Sequence, residues 1–422
     1  MKILSSLLVL IVCSPITAFG QLTIDQCQEK SKQNYPQIKQ FELIEQSRDY
    51  NLSNAGKAYL PQVALTAKAT YQSDAINIDM PLSSTKTLSI HQSKDQYQAA
   101  LEVNQMVWDG GITSTQKGIL KANAEIEKQR LEVELYTIKD RVNQLYFGLL
   151  LIHEQLLQNS ILQDELQTNF DKVKAYVKNG VANQSDLDAV KLEQLNNTQR
   201  RTELLNAEKT YREMLSAMTG EGIQESTMLV KPSLWTPNDT VTTIKRPELN
   251  LFESQLSLLD NQSQMIQTGI MPKLGLFVQG GIGKPGLNML SSDFSPFYIG
   301  GIRLSWNISG LYTQKNSLSN LKISRSTISN QKETFLFNNN LKINQQKNEL
   351  DKFRELIQND DEIIRLHTNI KKASAAKVEN GVQTVTDLLR EINAESLARQ
   401  QKALHEIQLM MGLYHLKYTT NN

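Results

Sequence analysis

Four stretches of the sequence alternate between apolar and polar residues with a period of two, as in strands with one apolar and one polar face. In the first pair of stretches, Val63 and Leu65 begin one apolar series, and Tyr97 and Leu101 lie in the next. The corresponding apolar positions of the second pair are Leu274, Leu276, Val278, Tyr298, Ile302, Leu304 and Trp306. The pattern predicts a strand pair within about 62–108 and another within about 273–308, each strand being about ten residues long.

A different period, seven residues, marks the segments that follow each strand pair. No proline occurs between positions 111 and 178, where two apolar series form the a/d seam of a coiled coil. Its members are Leu131, Ile138, Leu145 and Ile152, with Leu135, Val142, Leu149 and Leu156. Another stripe, Ile112, Ile119, Ile126 and Val133, indicates contacts on a second side of the helix. The later segment has Ile343, Leu350, Ile357 and Ile364, with Leu356, Ile363 and Ile370.

The chain repeats itself. Asn179-Gly180-Val181 followed by Asp186-Leu187 recurs 201 residues later as Asn380-Gly381-Val382 followed by Asp387-Leu388. A period of about 200 residues is far longer than a solenoid unit. We therefore predict a first repeat over 21–220, a linker over 221–246 and a second repeat over 247–422. Each repeat has an opening helix, then its strand pair, then a long helical hairpin, 111–219 or 311–420; the first opening helix is expected from about Thr23 to Tyr59.

The start of the chain has the features of a secretory signal peptide. A short apolar stretch follows Lys2, and Ala18-Phe19-Gly20 is a small-x-small cleavage pattern. We expect residues 1–20 to be removed, together with Cys13. Cys27 then remains as a lone cysteine, which is typical of a small core residue and provides no disulfide framework.

Composition narrows the class of protein. Hydrophobic residues make up 40% of the chain, and the mean hydropathy of −0.39 is too low for a bundle of membrane helices. The strands, however, have the length that a tilted transmembrane strand requires. A soluble β-sandwich hairpin is the alternative, but two matching hairpins in a secreted chain favour a membrane barrel. Four strands cannot close a barrel, so the chain must oligomerise: three copies give twelve strands and two give eight.

If the strands form a membrane barrel, residues on each strand face have expected positions in it. Trp108 and Trp306 end corresponding strands, where aromatic residues collect at the membrane interface. The polar faces include Lys68, Glu102, Gln279 and Arg303, which are candidates for the barrel lumen. If they line a pore, their charges tune the field that a passing solute experiences.

No pattern in the sequence indicates a catalytic, cofactor or metal site. The run Gly281–Gly286 fits G-x-G-x-x-G, but Pro285 and a polar loop follow instead of the helix that a dinucleotide site requires. The five histidines lack metal-ligand spacing, and no nucleophile, histidine and acid stand out as a set. The net charge of +1 gives no indication of nucleic-acid partners. We expect neither an enzyme nor a cofactor.

Taken in order, these features resemble the outer membrane efflux protein (TolC-like) family. They are the signal peptide, the duplicated halves, Leu60-Pro61 and Met271-Pro272 before the strand pairs, Asp109-Gly110-Gly111 after the second strand, and a turn glycine six residues before an aspartate. The resemblance covers residues 22–422. It implies an α+β membrane protein whose homotrimer forms a twelve-stranded β-barrel in outer-membrane lipid, on an α-helical barrel in the periplasm. It also implies a periplasmic adaptor and an inner-membrane transporter of the RND or ABC type as partners.

The resemblance also transfers roles to particular positions. Gly180, Val181, Gly381 and Val382 match the tip turns where the adaptor docks. Asp186 and Asp387 match aspartates of the closed entrance. The alternative, which the residue type favours, is an ordinary N-cap or first-turn acid of a helix, and both roles can hold. Two departures change the expected closing contacts: Arg390 stands where some members have an acid, and Gln383 where some have a gate-locking arginine.

The resulting hypothesis is a passive outer-membrane duct of a tripartite efflux or type I secretion system. A periplasmic coiled-coil adaptor is the alternative, since it too is secreted and rich in heptads. An adaptor should have one helical hairpin inserted in small β domains and a membrane anchor. Two hairpins with two amphipathic strand pairs favour the duct. The sequence does not define the cargo, the transporter class or the resting state of the entrance.

Overall fold

A computed structural model describes residues 21–83, 86–233 and 243–421. The predicted signal peptide, 1–20, lies outside the described residues, and so do residues 234–242 of the predicted linker. No helix among the described residues combines the length and the apolar character needed to cross a membrane.

The chain divides into two compact units. One comprises the residues up to Ile38, Glu132–Pro247 and the residues from Phe335 onward. The other comprises Lys39–Leu131 and Glu248–Thr334. We refer to the first as the helical unit and to the second as the sheet unit.

Strands and helices alternate in blocks along the chain. The strands are β1 (Gln62–Tyr71), β2 (Asn77–Ser83), β3 (Lys86–His91), β4 (Asp95–Trp108), β5 (Lys273–Lys284) and β6 (Ser295–Ser305). The helices are α1 (Ile24–Asn34), α2 (Gln40–Gly56), α3 (Ile112–Lys178), α4 (Gln184–Thr219), α5 (Pro247–Thr268), α6 (Gly310–Glu379) and α7 (Val385–Thr420). Helices α3 and α6 contribute residues to both units.

The sheet unit contains an antiparallel sheet with strand order β1-β4-β5-β6. These are the strands that the period-two pattern predicts. Directly opposed residues of neighbouring strands share a face, and the register places Leu65 opposite Leu101, and Val103 opposite both Val63 and Val278. The apolar series of the four strands therefore form one continuous face, and the polar series form the other.

The segment between the first two strands differs from the expectation. The predicted strand pair accounts for only two strands within 62–108, but β2 and β3 pair within residues 74–94 as a second, separate hairpin. Ile78 lies opposite Ile90, and the Gln92 amide donates to the Ile76 carbonyl oxygen at 3.0 Å. Ile76, Ile78, Met80 and Leu82 do alternate with polar residues or proline, so the period of two that marks β2 is present in the sequence and was overlooked.

A buried aspartate organises the junction between β4 and α3. The Asp109 carboxylate accepts hydrogen bonds from the backbone amides of Thr113 (2.6 Å) and Gly111 (2.8 Å) and from the Tyr59 hydroxyl (2.8 Å). Burial alone would raise the pKa of Asp109, but these hydrogen bonds lower it to about 2. Gly110 has φ of +75°, and a Cβ atom there would lie 2.6 Å from Cβ of Met271. Only glycine fits this turn into the long helix.

The helical unit is built on the predicted coiled-coil seam. Of the eight seam residues of α3, all but Leu156 are buried. In α6, Ile343 and Leu350 are buried against Leu409, Leu413 and Leu416 of α7. The series Leu356, Ile363 and Ile370 is different, because all three side chains are exposed in the single chain. The period of seven was sufficient to predict the helix, but it did not indicate which series would be buried within one copy.

The opening helix is not continuous, contrary to the expectation of one helix from Thr23 to Tyr59. Tyr35 has extended backbone with ψ of 127°, because proline disfavours helical backbone in the residue before it. Pro36 therefore ends α1, a 3₁₀ turn follows, and α2 begins at Gln40. Cys27 of α1 is fully buried, and burial raises the pKa of its thiol to about 12.

A tyrosine attaches the start of the chain to the linker. Leu22 and Leu229 form a parallel bridge. The hydroxyl of buried Tyr146 lies 2.7 Å from each of the carbonyl oxygens of Leu22 and Val230. One phenol thus holds two extended segments against α3.

Replacing Tyr146 by phenylalanine should weaken this attachment without creating a large cavity in the core, because only the hydroxyl group is lost. We expect the local free energy of opening to fall by roughly 1–2 kcal/mol. Hydrogen exchange of the Leu22 and Val230 amides, which donate to main-chain carbonyls of the same bridge, should be faster in the variant. Tyr312→Phe is the matched control, since that side chain is 83% exposed. Equal protection of both amides in wild type and Tyr146→Phe would contradict the assignment.

Candidate functional site

The turn between α3 and α4, which we call the first tip, ends the long helix with a glycine in the left-handed region. Gly180 has φ of +74°. Its amide donates to the Val177 carbonyl oxygen at 3.1 Å, and the Val181 amide donates to the Tyr176 carbonyl oxygen at 2.9 Å. This pair of bonds is a Schellman motif, which satisfies carbonyls that the helix end would otherwise leave unpaired.

The turn between α6 and α7, the second tip, has the same bonds at the equivalent atoms. Gly381 has φ of +70°. Its amide donates to Val378 at 3.0 Å, and the Val382 amide donates to Lys377 at 2.8 Å. The 201-residue repeat of the sequence is therefore a repeat of hydrogen bonds as well.

Both tips are open to solvent in the single chain. A Cβ atom added at Gly180 or Gly381 would meet no atom within 4 Å. The valines that follow are exposed, Val181 by 68% and Val382 by 71%. A valine so exposed contributes nothing to its own core, but it offers a protruding apolar contact to a partner. The adaptor-docking role of these four residues stays a prediction.

The two aspartates predicted for the entrance lie in capping boxes. Asp186 Oδ2 accepts a hydrogen bond from the Asn183 amide at 3.0 Å. Asp387 Oδ2 accepts from the amide of Thr384 at 3.2 Å and from its hydroxyl at 2.8 Å, and the Asp387 amide donates to Thr384 Oγ1 at 3.2 Å. The hydrogen bonds of Thr384, with the charge of Arg390, hold the pKa of Asp387 below its usual value. Each aspartate thus stabilises the first turn of its helix.

The remaining entrance candidates have other partners within one chain. Arg390 forms an ion pair with Glu391 at 3.1 Å and is largely exposed. The Ser374 hydroxyl donates to Gln383 Oε1 at 2.9 Å, so Gln383 ties the second tip back to α6. In the described part of the chain, no hydrogen bond joins Arg390 or Gln383 to Asp186 or Asp387.

Behind the tips, the two helical hairpins share one apolar core. It combines residues of α3 and α4 with residues of α7: Leu166, Val173, Val190, Val385, Leu388, Leu389 and Ile392. Lys172 of α3 and Glu379 of α6 add an exposed ion pair at 3.4 Å. The helical unit therefore places the two tips side by side.

Further from the tips, the repeat preserves a position but changes its chemistry. In the first hairpin the Gln194 amide donates to Gln167 Oε1 at 2.9 Å. The residues 201 positions later are Glu395 and Thr368, and the Thr368 hydroxyl donates to Glu395 Oε1 at 2.7 Å. A neutral amide pair of the first half thus corresponds to a carboxylate and a hydroxyl in the second half.

The carboxylate of Glu395 is buried and must be neutralised by nearby cations, and two cationic side chains do so. Glu395 is only 3% exposed; Lys371 and Arg399 both form ion pairs with it, the latter at 2.6 Å. Lys371 also contacts Glu165 of α3 at 2.6 Å, so it joins the two hairpins. Burial raises the pKa of Glu395, but the hydrogen bonds from Lys371, Thr368 and Arg399 outweigh it and lower the pKa to about 2. Sequence reasoning missed this network: the 201-residue offset aligns Glu395 with Gln194, but it does not show that either position lies in the core.

In the sheet unit, all four predicted lumen residues lie on the polar face. Lys68 is opposite Gln98, and Gln279 is opposite Glu102. Arg303 is opposite Gly275, which belongs to the same series as Gln279. The alternation with a period of two predicts that the four residues share a face, and the strand register shows which residues lie opposite them.

The two tryptophans lie at ends of the strands, and a β-bulge determines where Trp108 is placed. The register shifts between Met106 and Trp108, so that Trp108 lies opposite Leu274 on the apolar face. Without the extra residue, Trp108 would belong to the polar series, since a bulge re-aims the side chains beyond it. Trp306 follows the last residue of β6, and its indole N–H donates to the Ile270 carbonyl oxygen at 2.9 Å.

The described residues contain no group of three or more histidine, cysteine or acidic side chains that could hold a metal ion. His405 and His415 each face one acid: Asp360 at 2.8 Å and Asp140 at 3.0 Å. The glycine run 281–286 covers the end of β5 and a loop that leads to β6, with no helix between the two strands.

Comparison with known proteins identifies the fold. No protein-family model matches the sequence, and neither does any curated protein. Among solved structures, the outer membrane protein VceC of Vibrio cholerae matches with a TM-score of 0.68 and 11% identity, over 94% of this chain and 96% of that chain. The CmeC outer membrane channel of Campylobacter jejuni matches at 0.65 and 11%, over 94% and 85%. The open state of the MtrE outer membrane channel of Neisseria gonorrhoeae matches at 0.66 and 12%, over 94% and 89%.

The chain has the fold of TolC-like outer membrane channels. The predicted fold class, with long antiparallel helices and strands in duplicated halves, is confirmed for the single chain. At these identities the likeness concerns the fold, and the roles of individual residues within the TolC-like fold stay predictions.

Replacing the glycine of a tip tests the local geometry of the TolC-like fold. Gly381→Ala should destabilise the second tip by roughly 1–2 kcal/mol, because a side chain in the left-handed region strains the backbone although nothing obstructs the added methyl group. Trypsin cleavage after Lys377 should be faster in the variant. Gly222→Ala is the control, since Gly222 also has open space but does not have positive φ. Equal cleavage rates at Lys377 for wild type and Gly381→Ala would refute the strain argument.

The buried network predicts a pH dependence. A pKa lowered from the ordinary 4.5 to about 2 means that Glu395 stabilises the fold above about pH 4.5, by on the order of 3 kcal/mol. This contribution is lost as the pH falls towards about 2. In Glu395→Gln the drop in melting temperature between about pH 6 and about pH 3 should be smaller than in wild type. Glu203→Gln, at an exposed acid, should keep the wild-type drop; an identical drop in Glu395→Gln would show that the carboxylate is not stabilised as described.

Proposed function

We propose that the protein is an outer-membrane channel, a passive duct of a tripartite efflux or type I secretion system. The observation that carries the proposal is the two-faced sheet within a fold shared with solved outer membrane channels. One face carries Val63, Leu101, Val278 and Ile302, and all four side chains are exposed in the single chain by 48% or more. An exposed apolar sheet face of this extent is suited to lipid.

The proposed assembly is a homotrimer. The outer edges of β1 and β6 have no partner strand in the order β1-β4-β5-β6, and open edges are not tolerated in lipid. Because strand directions alternate, β6 of one copy can pair antiparallel with β1 of the next. Three copies then close twelve strands. Such a barrel would lie in the outer membrane, with the helices in the periplasm.

Exposed apolar residues on α6 support the same assembly. Leu356, Ile363 and Ile370 recur every seven residues and are exposed by 36%, 43% and 48%. Strict sevens are the spacing of a coiled-coil seam, yet these residues have no seam to enter within one copy. A neighbouring copy supplies the missing helix surface.

The proposed partners engage the tips. Gly180, Val181, Gly381 and Val382 would contact a periplasmic adaptor, and an inner-membrane transporter of the RND or ABC type would drive the transport. Asp186 and Asp387 would line the entrance, with Gln383 and Arg390 nearby. No catalytic step or cofactor is part of the proposal. A periplasmic adaptor remains the alternative function, but two helical hairpins, α3–α4 and α6–α7, and a four-stranded amphipathic sheet favour the channel.

Conductance of the purified oligomer in planar lipid bilayers tests the proposal. We expect discrete, long-lived channels from a particle with the mass of three chains. Reversal potentials in a KCl gradient would be compared for wild type, Asp387→Ala and Asp387→Asn. Asparagine keeps an oxygen for the Thr384 amide but loses the charge, so a fall in cation preference in both variants places the carboxylate in the conduction path.

The other outcomes separate the elements of the proposal. Channels whose selectivity is the same in all three proteins support the duct and make Asp387 a helix cap only. A change in Asp387→Ala alone indicates a rearranged helix end rather than a lost charge. A folded oligomer that neither inserts nor conducts contradicts the channel and favours the adaptor.

A further inference from the structure

Four of the six charged residues of the sheet lie on its polar face, and their charges do not cancel. Lys68, Lys273 and Arg303 lie on this face together with a single acid, Glu102. Every other residue of the face is uncharged in all four strands. Each copy therefore contributes two net positive charges, and these are repeated in every copy of a closed barrel.

The single acid neutralises its nearest cation only weakly. Arg303 Nη2 lies 3.8 Å from Glu102 Oε1, and Arg303 Nη1 lies 3.4 Å from Asn104 Oδ1. Asn104 itself donates to Glu102 Oε1 at 2.9 Å, so it competes for that oxygen. The Arg303 side chain remains 57% exposed, and an exposed pair at this distance contributes little.

An aromatic ring holds the guanidinium in place. The Arg303 Cζ atom lies 4.6 Å from the centre of the Phe277 ring, which is on the same face. Gly301 leaves room for this ring, since a Cβ atom there would be 3.1 Å from it. A cation over an aromatic face is attracted to the ring. The charge is thus fixed by stacking, while its hydrogen-bonding edge remains largely open to a solute.

The opposite face provides the contrast. Its charged residues, Asp95 and Lys284, are at the ends of β4 and β5 and pair with each other at 3.1 Å. The apolar face thus has no net charge, and the imbalance is confined to one face.

We infer that the polar face is a cationic lining that favours anionic solutes, with Arg303 held on Phe277 as one contact and the exposed Lys68 as a second. This inference rests on the proposed function, because the face lines a pore only in a closed barrel. Rings of arginine or lysine favour anions in pores, and a lining enclosed by low-dielectric walls focuses the field. The class of solute that the lining favours is a small anion or a molecule with exposed carboxylate or phosphate groups.

Reversal potentials measured with KCl gradients test this lining. Arg303→Gln and Lys68→Gln should each lower the Cl⁻/K⁺ permeability ratio, and Glu102→Gln should raise it. Arg303→Lys should leave the sign of the selectivity unchanged, because it retains the charge. Lys284→Gln is the matched control: it removes a lysine of the same sheet from the apolar face and should shift the ratio least. All shifts should shrink in about 1 M salt, where charges are screened within roughly 3 Å.

A second measurement changes the charge after folding. Lys68→Cys would be labelled in the inserted channel with a positive or a negative methanethiosulfonate reagent. Cys27 is fully buried and should not compete. The positive label should raise the Cl⁻/K⁺ permeability ratio back towards the wild-type value, and the negative label should lower it further.

The outcomes distinguish the hypothesis of a cationic lining from the hypothesis that the protein is a channel. Channels that form normally but keep the same reversal potential in Arg303→Gln, Lys68→Gln and the labelled cysteine variant would overturn the cationic lining and leave the channel intact. The same holds if Lys284→Gln shifts the ratio as much as Arg303→Gln. A folded trimer without conductance would overturn the channel, and the lining with it.

Discussion

Backbone hydrogen bonding at the edges of the sheet is the constraint on which the rest of the structure depends. Neighbouring strands of β1-β4-β5-β6 pair along antiparallel ladders, with one bulge before Trp108, but the outer sides of β1 and β6 have no partner strand among the described residues. In water, the unpaired backbone groups of such edges are hydrated. In lipid they have no water to bind and must pair with another strand. If the protein is the proposed channel, the same sheet would therefore require both a membrane and further copies. The exposed series on α6 is a second surface that one copy leaves incomplete.

Duplication gave the chain two copies of one plan, and in the helical hairpins the differences between the copies are chemical rather than geometric. The tips repeat their hydrogen bonds at equivalent atoms. Deeper in the hairpins, the amide pair Gln167–Gln194 is replaced by Thr368 and Glu395. A buried carboxylate is costly unless it is paired, so the second half also needs Lys371 and Arg399. Because Lys371 also contacts Glu165, the cation that neutralises Glu395 in one hairpin also links it to the other.

Features that follow from periodicity could be read from the sequence, and features set by single residues or by a second copy could not. Period two predicted the strands of the sheet and the shared face of Lys68, Glu102, Gln279 and Arg303. It did not predict the bulge that turns Trp108 to the apolar face, since one extra residue leaves no mark on composition. Pro36 was visible in the sequence, but its effect was underestimated because the helix resumes at Gln40.

The candidate site shows the same division. The positions of the tip glycines were predictable, since left-handed helix ends favour glycine and the repeat marked both. The exposure of Val181 and Val382 was not, because a sequence pattern does not distinguish a buried valine from a protruding one. The Glu395 network was missed for a related reason. Charged residues are ordinarily solvated on helices, and only packing reveals that this one lies in the core.

Capping and gating, the two roles considered for Asp387, are physically compatible. Both hydrogen bonds from Thr384 end on Oδ2, so the cap occupies one carboxylate oxygen. Oδ1 accepts no hydrogen bond in the described part of the chain, and the side chain keeps its full negative charge because the cap lowers its pKa. The cap therefore does not consume the charge that an entrance would use; it fixes the position of that charge and keeps it ionised. A ring of such carboxylates at the tips and a cationic face in the sheet would oppose each other in sign. The selectivity of a complete channel would then depend on which of the two sections restricts the flow.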